Sequence, residues 1–146
     1  MTAISESGAA RLWYLDSSVA LRILLAHSEG AVTWYDERAE VGDAFVSSRL
    51  LHLETVRVLR RESVDTTLAD DFVSELSLLS VDDRLIAEAA AIRPHVKSLD
   101  ALHLASALHL ASALRLGAGA VTIVTHDANM TRVADDLGFD VFDPVV

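Results

Sequence analysis

Four carboxylates in this 146-residue chain stand in apolar company. Asp16 closes the run LWYL. Asp127 follows the β-branched run AVTIVT, with only His126 between. Asp100 heads SLDALHLASALHLASALRLG, which carries no other charge until Arg115. Glu54 has Leu50 and Val58 one helical turn away on either side and Leu51 at i−3, so it sits on a partly apolar stripe. A carboxylate in such surroundings must be paired, protonated or bound to a metal. Each also has a plainer reading. Asp16 and Asp127 can cap the helices that follow them. Asp100 can favour the positive end of its helix dipole, with Ser98 or Asp100 itself as cap. Glu54 can pair with Arg57 or Arg61.

The elements that must carry these acids alternate between strand and helix. Short apolar or β-branched runs at 12–15, 44–48, 120–125 and 140–144 read as strands. Helical patterns cover 19–27, 31–40, 48–62, 67–80, 83–92, 98–116 and 129–138. The first is expected to stop near Gly30, the long one at Gly117 and the last at Gly138, with Ser17 and Ser18 suited to cap the first. Near-continuous apolar strands joined through helices argue for a parallel sheet covered on both faces. In such sheets chemistry gathers outside the carboxyl ends of the strands. Asp16 and Asp127 fall there, at equivalent ends of two strands.

The polar positions of the 98–116 helix recur every third residue, at 100, 103, 106, 109, 112 and 115. Three residues turn the chain about 300°, so these positions creep around the helix. No single wet face results, and the helix is expected to be buried nearly all round. The doubled HLASAL is no solenoid repeat, because its period is too short and does not return to one face.

Composition bounds the rest. One domain over residues 1–146 is the default at this length, with 1–11 expected to be a poorly ordered tail. No cysteine is present, which excludes disulfides, thiolate nucleophiles and Cys-based zinc sites. The start of the chain lacks the basic cluster of a signal peptide. The apolar stretch 101–124 is interrupted by His103, His109, Arg115 and Gly117, so no membrane span is expected, and the chain is placed in the cytoplasm. Net charge is −10. A protein that grips nucleic acid by bulk electrostatics is basic. Any such role here needs bound cations, a local arginine patch or a basic partner.

The segments YLDSSVAL (14–21), LETVRVLRR (53–61), SLDALHLASAL (98–108), VTHDANM (124–130) and ADDLGFDVFDP (134–144) occur in the order seen in PIN-domain proteins. Residues 12–144 most resemble the VapC-type toxins of bacterial toxin–antitoxin pairs. The resemblance implies an α/β fold, a PIN-like α/β/α sandwich around a parallel sheet. It implies a metal-dependent endoribonuclease whose core acids are Asp16, Glu54 and Asp100, with Asp127 as a more variable fourth. Ser18 and Thr125 match small polar residues near the first and fourth acids, and Arg57 a frequent basic position. Gathered carboxylates repel, and a divalent cation relieves that repulsion. All-oxygen ligands suit Mg²⁺, or Mn²⁺, rather than zinc. Asp16, Asp100 and Asp127 are the expected metal contacts. Glu54 either orients the attacking water or completes the metal's surroundings. An antitoxin with a basic C-terminal segment and a homodimer are the implied partners, beside the RNA substrate.

Two other classes compete. Another Mg²⁺-dependent phosphotransfer enzyme is one, but Asp16-Ser17-Ser18 lacks the second Asp of a DxD phosphatase, and the only lysine, Lys97, precedes a helix rather than ending a strand as a receiver domain requires. A catalytically silent PIN-like protein-binding module is the other. His103, one turn from Asp100, and His126, beside Asp127, read as structural. His109 reads as a core or interface residue. Trp13, Trp34, Tyr14 and Tyr35 read as core or partner-facing. Asp82–Asp83 and Asp135–Asp136 read as helix-start and solvated-face acids.

Overall fold

The computed structural model describes residues 11–145. Strands β1 (Leu12–Leu15), β2 (Ala44–Ser48), β3 (Ser77–Leu79), β4 (Thr122–Val124) and β5 (Asp140–Phe142) form one sheet in the order β3-β2-β1-β4-β5. Every neighbouring pair is parallel. The helices are α1 (Ser17–Leu24), α2 (Glu29–Glu40), α3 (Arg49–Arg61), α4 (Thr67–Val73), α5 (Asp83–Ala90), α6 (Ser98–Ala113) and α7 (Ala128–Asp136). Strand order reverses at β1, between its neighbours β2 and β4. A crevice therefore opens at the carboxyl ends of β1 and β4. The expected α/β/α sandwich is what the chain builds.

Alternation along β1 shows how the layers form. Trp13 and Leu15 point into a core with Phe45 of β2 and with Val19, Ala20, Tyr35, Leu51 and Phe72, supplied by α1 to α4. Tyr14 points to the other face, into a core with Leu104, Ala107, Ile123, Met130 and Val133, supplied largely by α6 and α7. Side chains of a strand alternate faces, so a strand buried on both sides must be apolar at every position. LWYL meets that demand. Trp34 packs edge-on against Trp13, with ring centroids 5.1 Å apart. Trp13, Tyr14 and Tyr35 are thus core and Trp34 packs half-buried beside Trp13, within the core or partner-facing reading.

Helix α6 is buried from Ala101 to Ala107 apart from Leu102, which is half-buried. In its C-terminal turns only Ala111 is buried. His109 and Ser112 are exposed, which corrects the all-round burial expected and the core reading of His109. The helix ends at Ala113, and Arg115 supplies the left-handed residue (φ 57°) with Leu116 N–H bonded to the Ala111 carbonyl at 2.8 Å. Helix α1 closes the same way on Ala26 (φ 55°), with His27 N–H to the Arg22 carbonyl at 2.9 Å. Gly30 does not end that helix. It lies in the first turn of α2, which Ser28 caps by accepting from Ala31 N–H. Gly138 (φ 93°) ends α7 in the expected place.

The helix expected over 67–80 is two elements. Helix α4 stops at Val73, and Ser77–Leu79 runs as an edge strand whose Ser77 pairs with Val46. Leu76, Leu78 and Leu79 satisfy either period, and the exposed edge of β2 decides between them. Of the tail expected over residues 1–11, positions 1–10 lie outside the described residues. Arg11 is inside them, and its carbonyl accepts from Ala44 N–H at 2.9 Å. Among the described residues no helix is long and apolar enough to cross a membrane.

Candidate active site

The four acids meet. Asp16, Glu54, Asp100 and Asp127 all line one cleft of about 360 Å³, together with Ser17, Ser18 and Lys97. Each acid comes from a different place: the end of β1, the middle of α3, the first turn of α6, and the residue before α7. Residues far apart in sequence are collected because the β1 and β4 ends adjoin at the reversal of strand order.

Asp16 is the most constrained. It is 2% exposed. Its backbone N–H donates to the Val124 carbonyl at 3.0 Å, so the strand pairing itself fixes its place. Its Oδ2 accepts from two hydroxyls, Ser18 Oγ and Thr125 Oγ1, each at 2.7 Å. Those hydroxyls are themselves oriented: His126 N–H donates to Ser18 Oγ at 2.9 Å, and Asp127 N–H to Thr125 Oγ1 at 3.1 Å. Ser18 and Thr125 therefore tie the first acid to the loop that carries the fourth. Asp16 Oδ1 is buried with no hydrogen-bond partner. A buried carboxylate oxygen left unpaired is costly, and a cation would satisfy it. Although Asp16 holds the N-cap position of α1, its side chain makes no cap bond.

Asp127 does cap. Its Oδ1 accepts from Met130 N–H at 2.8 Å, and its Oδ2 remains for the cleft. The capping and cleft-lining readings of this residue hold together. Asp100 is half-buried and does not cap: Lys97 occupies the N-cap position of α6, with no side-chain cap bond from it either. Burial pushes the Asp100 carboxyl up to about 6, and the charges of Asp16 and Asp127 push in the same direction, while His103 opposes them. Two carboxylates pressed on a third raise it in this way when no cation is present.

Glu54 pairs with neither Arg57 nor Arg61. Its Oε1 receives His103 Nε2 at 2.7 Å, and its Oε2 accepts from Ser17 Oγ at 3.2 Å. His103 is fully buried, and its Nδ1 meets the Tyr14 hydroxyl at 2.8 Å. Arg61 is bonded to Glu62, while Arg57 is exposed and makes no ion pair among the described residues. His126 reaches Asp143 at 2.8 Å, outside the cleft.

Among the described residues no three acidic or histidine side chains are drawn in closely enough to enclose a metal ion as they stand. The donor set nonetheless fits a hard cation. It is all oxygen, one oxygen is buried without a partner, and the Asp100 carboxyl is raised by burial and by the neighbouring acids.

The PIN domain profile matches residues 13–136. This chain belongs to the PIN domain family. It is 29% identical over 135 residues to Ribonuclease VapC35 of Mycobacterium tuberculosis (strains CDC 1551 / Oshkosh and H37Rv), covering 90% of this chain and 96% of that protein. Two solved complexes share the fold. VapBC2 from Rickettsia felis, bound to a DNA fragment from their promoter, matches with a TM-score of 0.64 at 13% identity, covering 90% of this chain and 98% of that one. VapBC-1 from nontypeable Haemophilus influenzae matches with a TM-score of 0.63 at 13% identity, covering 91% and 98% respectively.

Two residues lining the PIN domain's cleft, Ser17 and Lys97, and one buried behind it, Tyr14, are not among the site residues the sequence predicts. The sequence offers Ser17 only as a helix cap, yet its hydroxyl donates to Glu54 Oε2. Lys97 argues against a receiver domain by preceding a helix, and that same placement brings it into the cleft with Asp100. Tyr14 is core, within the core or partner-facing reading. Only the contact with His103 shows that its hydroxyl stands behind the site, on the far side of the imidazole that holds Glu54. The available signals were slight: a lone lysine three residues before an acid, and a tyrosine two before another.

Proposed function

We propose that this PIN domain is a metal-dependent endoribonuclease toxin that cuts particular structured RNAs and is held silent by a cognate antitoxin. The observation that carries the reading is the convergence of four carboxylates on one cleft with the buried Asp16 Oδ1 unpartnered. The ribonuclease name of its relative supports the reaction class. Asp16, Asp100 and Asp127 would hold the ion, with Glu54 beside them. A bound Mg²⁺ or Mn²⁺ would polarise the phosphodiester and make water a better nucleophile at neutral pH. Glu54 Oε2, open to the cleft beyond Ser17, is placed to accept a hydrogen bond from the attacking water. Water adds to phosphorus, the bond to the 3′ oxygen breaks, and the products are a 5′-phosphate and a 3′-hydroxyl. Arg57, one turn from Glu54 and unpaired by the described residues, is available to a phosphate.

The net charge of −10 fits this scheme. Cations bound in the cleft stand in for a basic surface, so affinity for unrelated RNA is low and selection falls on shape. Lys97 supplies the cleft's one fixed positive charge among its lining residues. Replacing it (Lys97→Met) is expected to raise KM about 3- to 10-fold with kcat nearly unchanged, and to make log KM less steep against log salt by about one phosphate contact. Steady-state cleavage at several salt concentrations checks this.

The VapBC complexes that share the fold support an antitoxin partner. A basic C-terminal segment on that partner would complement the acidic cleft. A homodimer and a cytoplasmic setting complete the proposal. Its test is the cleavage of a total small-RNA pool by the isolated protein with Mg²⁺, with Mn²⁺ and with EDTA. Discrete, metal-dependent cuts are the expected result. Folded protein that cuts nothing with either metal would leave the acidic cleft as a binding surface, and random degradation of every RNA would defeat the claim of selectivity.

A further inference from the structure

We infer that Tyr14 and His103 form a buried hydrogen-bonded chain that positions the Glu54 carboxylate for the metal and water of the cleft. The proposal rests on the nuclease reading above and adds two positioning residues to it.

The chain runs through three elements. Tyr14 belongs to β1, two residues before Asp16. His103 belongs to α6, one turn after Asp100, and Glu54 belongs to α3. The tyrosine hydroxyl stands 2.8 Å from His103 Nδ1, and His103 Nε2 stands 2.7 Å from Glu54 Oε1. Tyr14 and His103 are both 0% exposed. Their rings meet edge to face, with centroids 5.7 Å apart, so the imidazole is held by packing as well as by bonding. An ionised carboxylate only accepts, so Nε2 must donate to Glu54. A phenol keeps its proton at neutral pH, so the Tyr14 hydroxyl can donate to Nδ1. Both ring nitrogens are then satisfied.

Glu54 needs such support. It has three side-chain torsions and reaches the cleft from mid-helix, where an unrestrained glutamate would sample several rotamers. With Oε1 bound by His103 and Oε2 bound by Ser17, the carboxylate plane is fixed. The arrangement also accounts for a histidine in the buried part of α6: one turn presents Asp100 to the cleft, and the next braces the acid opposite. Groups that brace a metal-site carboxylate typically matter 10- to 100-fold in affinity or rate.

The test compares His103→Leu, His103→Gln and Tyr14→Phe with the unaltered chain. Mn²⁺ affinity is measured calorimetrically on RNA-free protein, and kcat and KM on a cleaved RNA. Melting curves confirm that each variant folds. His103→Leu is expected to weaken Mn²⁺ binding and lower kcat by about 10- to 100-fold with KM little changed. His103→Gln, which keeps an N–H donor at similar reach, is expected to recover about tenfold of that loss. Tyr14→Phe, which leaves His103 Nδ1 without its donor, is expected to cost about 3- to 10-fold. A folded His103→Leu with unaltered Mn²⁺ affinity and kcat overturns the proposal, as does a glutamine variant no better than leucine. Should His103→Leu fail to fold, Tyr14→Phe decides, and an unaltered Mn²⁺ affinity there is fatal. If the unaltered chain cuts no RNA yet the order of Mn²⁺ affinities holds, the nuclease reading falls and the positioning role stands. A chain that binds no Mn²⁺ overturns both.

Discussion

Asp16→Asn is expected to remove RNA cleavage by about 10³-fold or more while leaving the protein folded. The reason lies in how the two carboxylate oxygens are used. Oδ2 accepts two hydroxyl bonds of 2.7 Å, from Ser18 and Thr125. An asparagine carbonyl oxygen takes that position without loss. The amide NH₂ then occupies the place of Oδ1, the buried atom with no partner. A donor there points its hydrogens at the position where a cation would bind. Losing one direct oxygen ligand, and its charge, withdraws several kcal/mol of transition-state stabilisation, and about 4 kcal/mol corresponds to about 10³-fold. Initial rates with Mg²⁺ and Mn²⁺, beside a thermal melt in EDTA, check both halves. A variant that cuts at even a tenth of the normal rate would show that Asp16 serves the fold and not the metal. A variant that loses cleavage by unfolding would show the same.

Asp100→Asn is the second large effect, and it changes sign with conditions. In the folded, metal-free chain the Asp100 carboxyl lies at about 6, raised from 3.8 by burial and by Asp16 and Asp127. Below about pH 4 the group is protonated in both folded and unfolded chains and contributes nothing. Between about pH 4 and pH 6 the unfolded chain releases its proton first, so stability falls as pH rises. Above about pH 6 the full penalty is present. The side chain is half-exposed, so screening by water reduces that penalty to about 1 kcal/mol. Asparagine carries no such penalty. The variant should match the unaltered chain at pH 4 and exceed it at pH 7 in EDTA, by about 3 °C in Tm. Adding Mg²⁺ should reverse the order, because only the chain with all its acids gains the stabilisation of a bound ion. Cleavage at pH 7 is expected to fall by about 10²-fold or more. Melting curves at the two pH values, with and without Mg²⁺, test this. A variant less stable than the parent at pH 7 in EDTA would return Asp100 to the role of a helix-start residue.

Several features of the site were legible in single residues. Asp16 and Asp127 declare themselves by following apolar strands, because a parallel sheet must end its buried runs in a polar loop. The family segments name Ser18 and Thr125, and the structure shows what they do, as both donate to Asp16 Oδ2. Glu54 was legible as an acid on an apolar stripe, but its partner was not. Local spacing favours Arg57 at i+3, whereas the partner found is His103, which is 49 positions away. Nothing within a helix's own periodicity can report a contact made across the sheet layer.

The same limit explains the misplaced elements. The terminators of α1 and α6 are Ala26 and Arg115, each in the left-handed region where glycine is the usual occupant. An alanine or arginine there gives no local warning, so the nearest glycine draws the boundary outward. Strand β3 was hidden in a leucine-rich stretch compatible with either period, and only the free edge of β2 selects it. The apolar runs by themselves determined a parallel, two-sided sheet, and the acids after them determined which end could do chemistry. Tertiary structure alone decided that β1 and β4 adjoin, that four acids share one cleft, and that a buried tyrosine and histidine stand behind one of them. Those facts depend on strand order and on contacts between residues far apart in the chain, which neither propensity nor periodicity encodes.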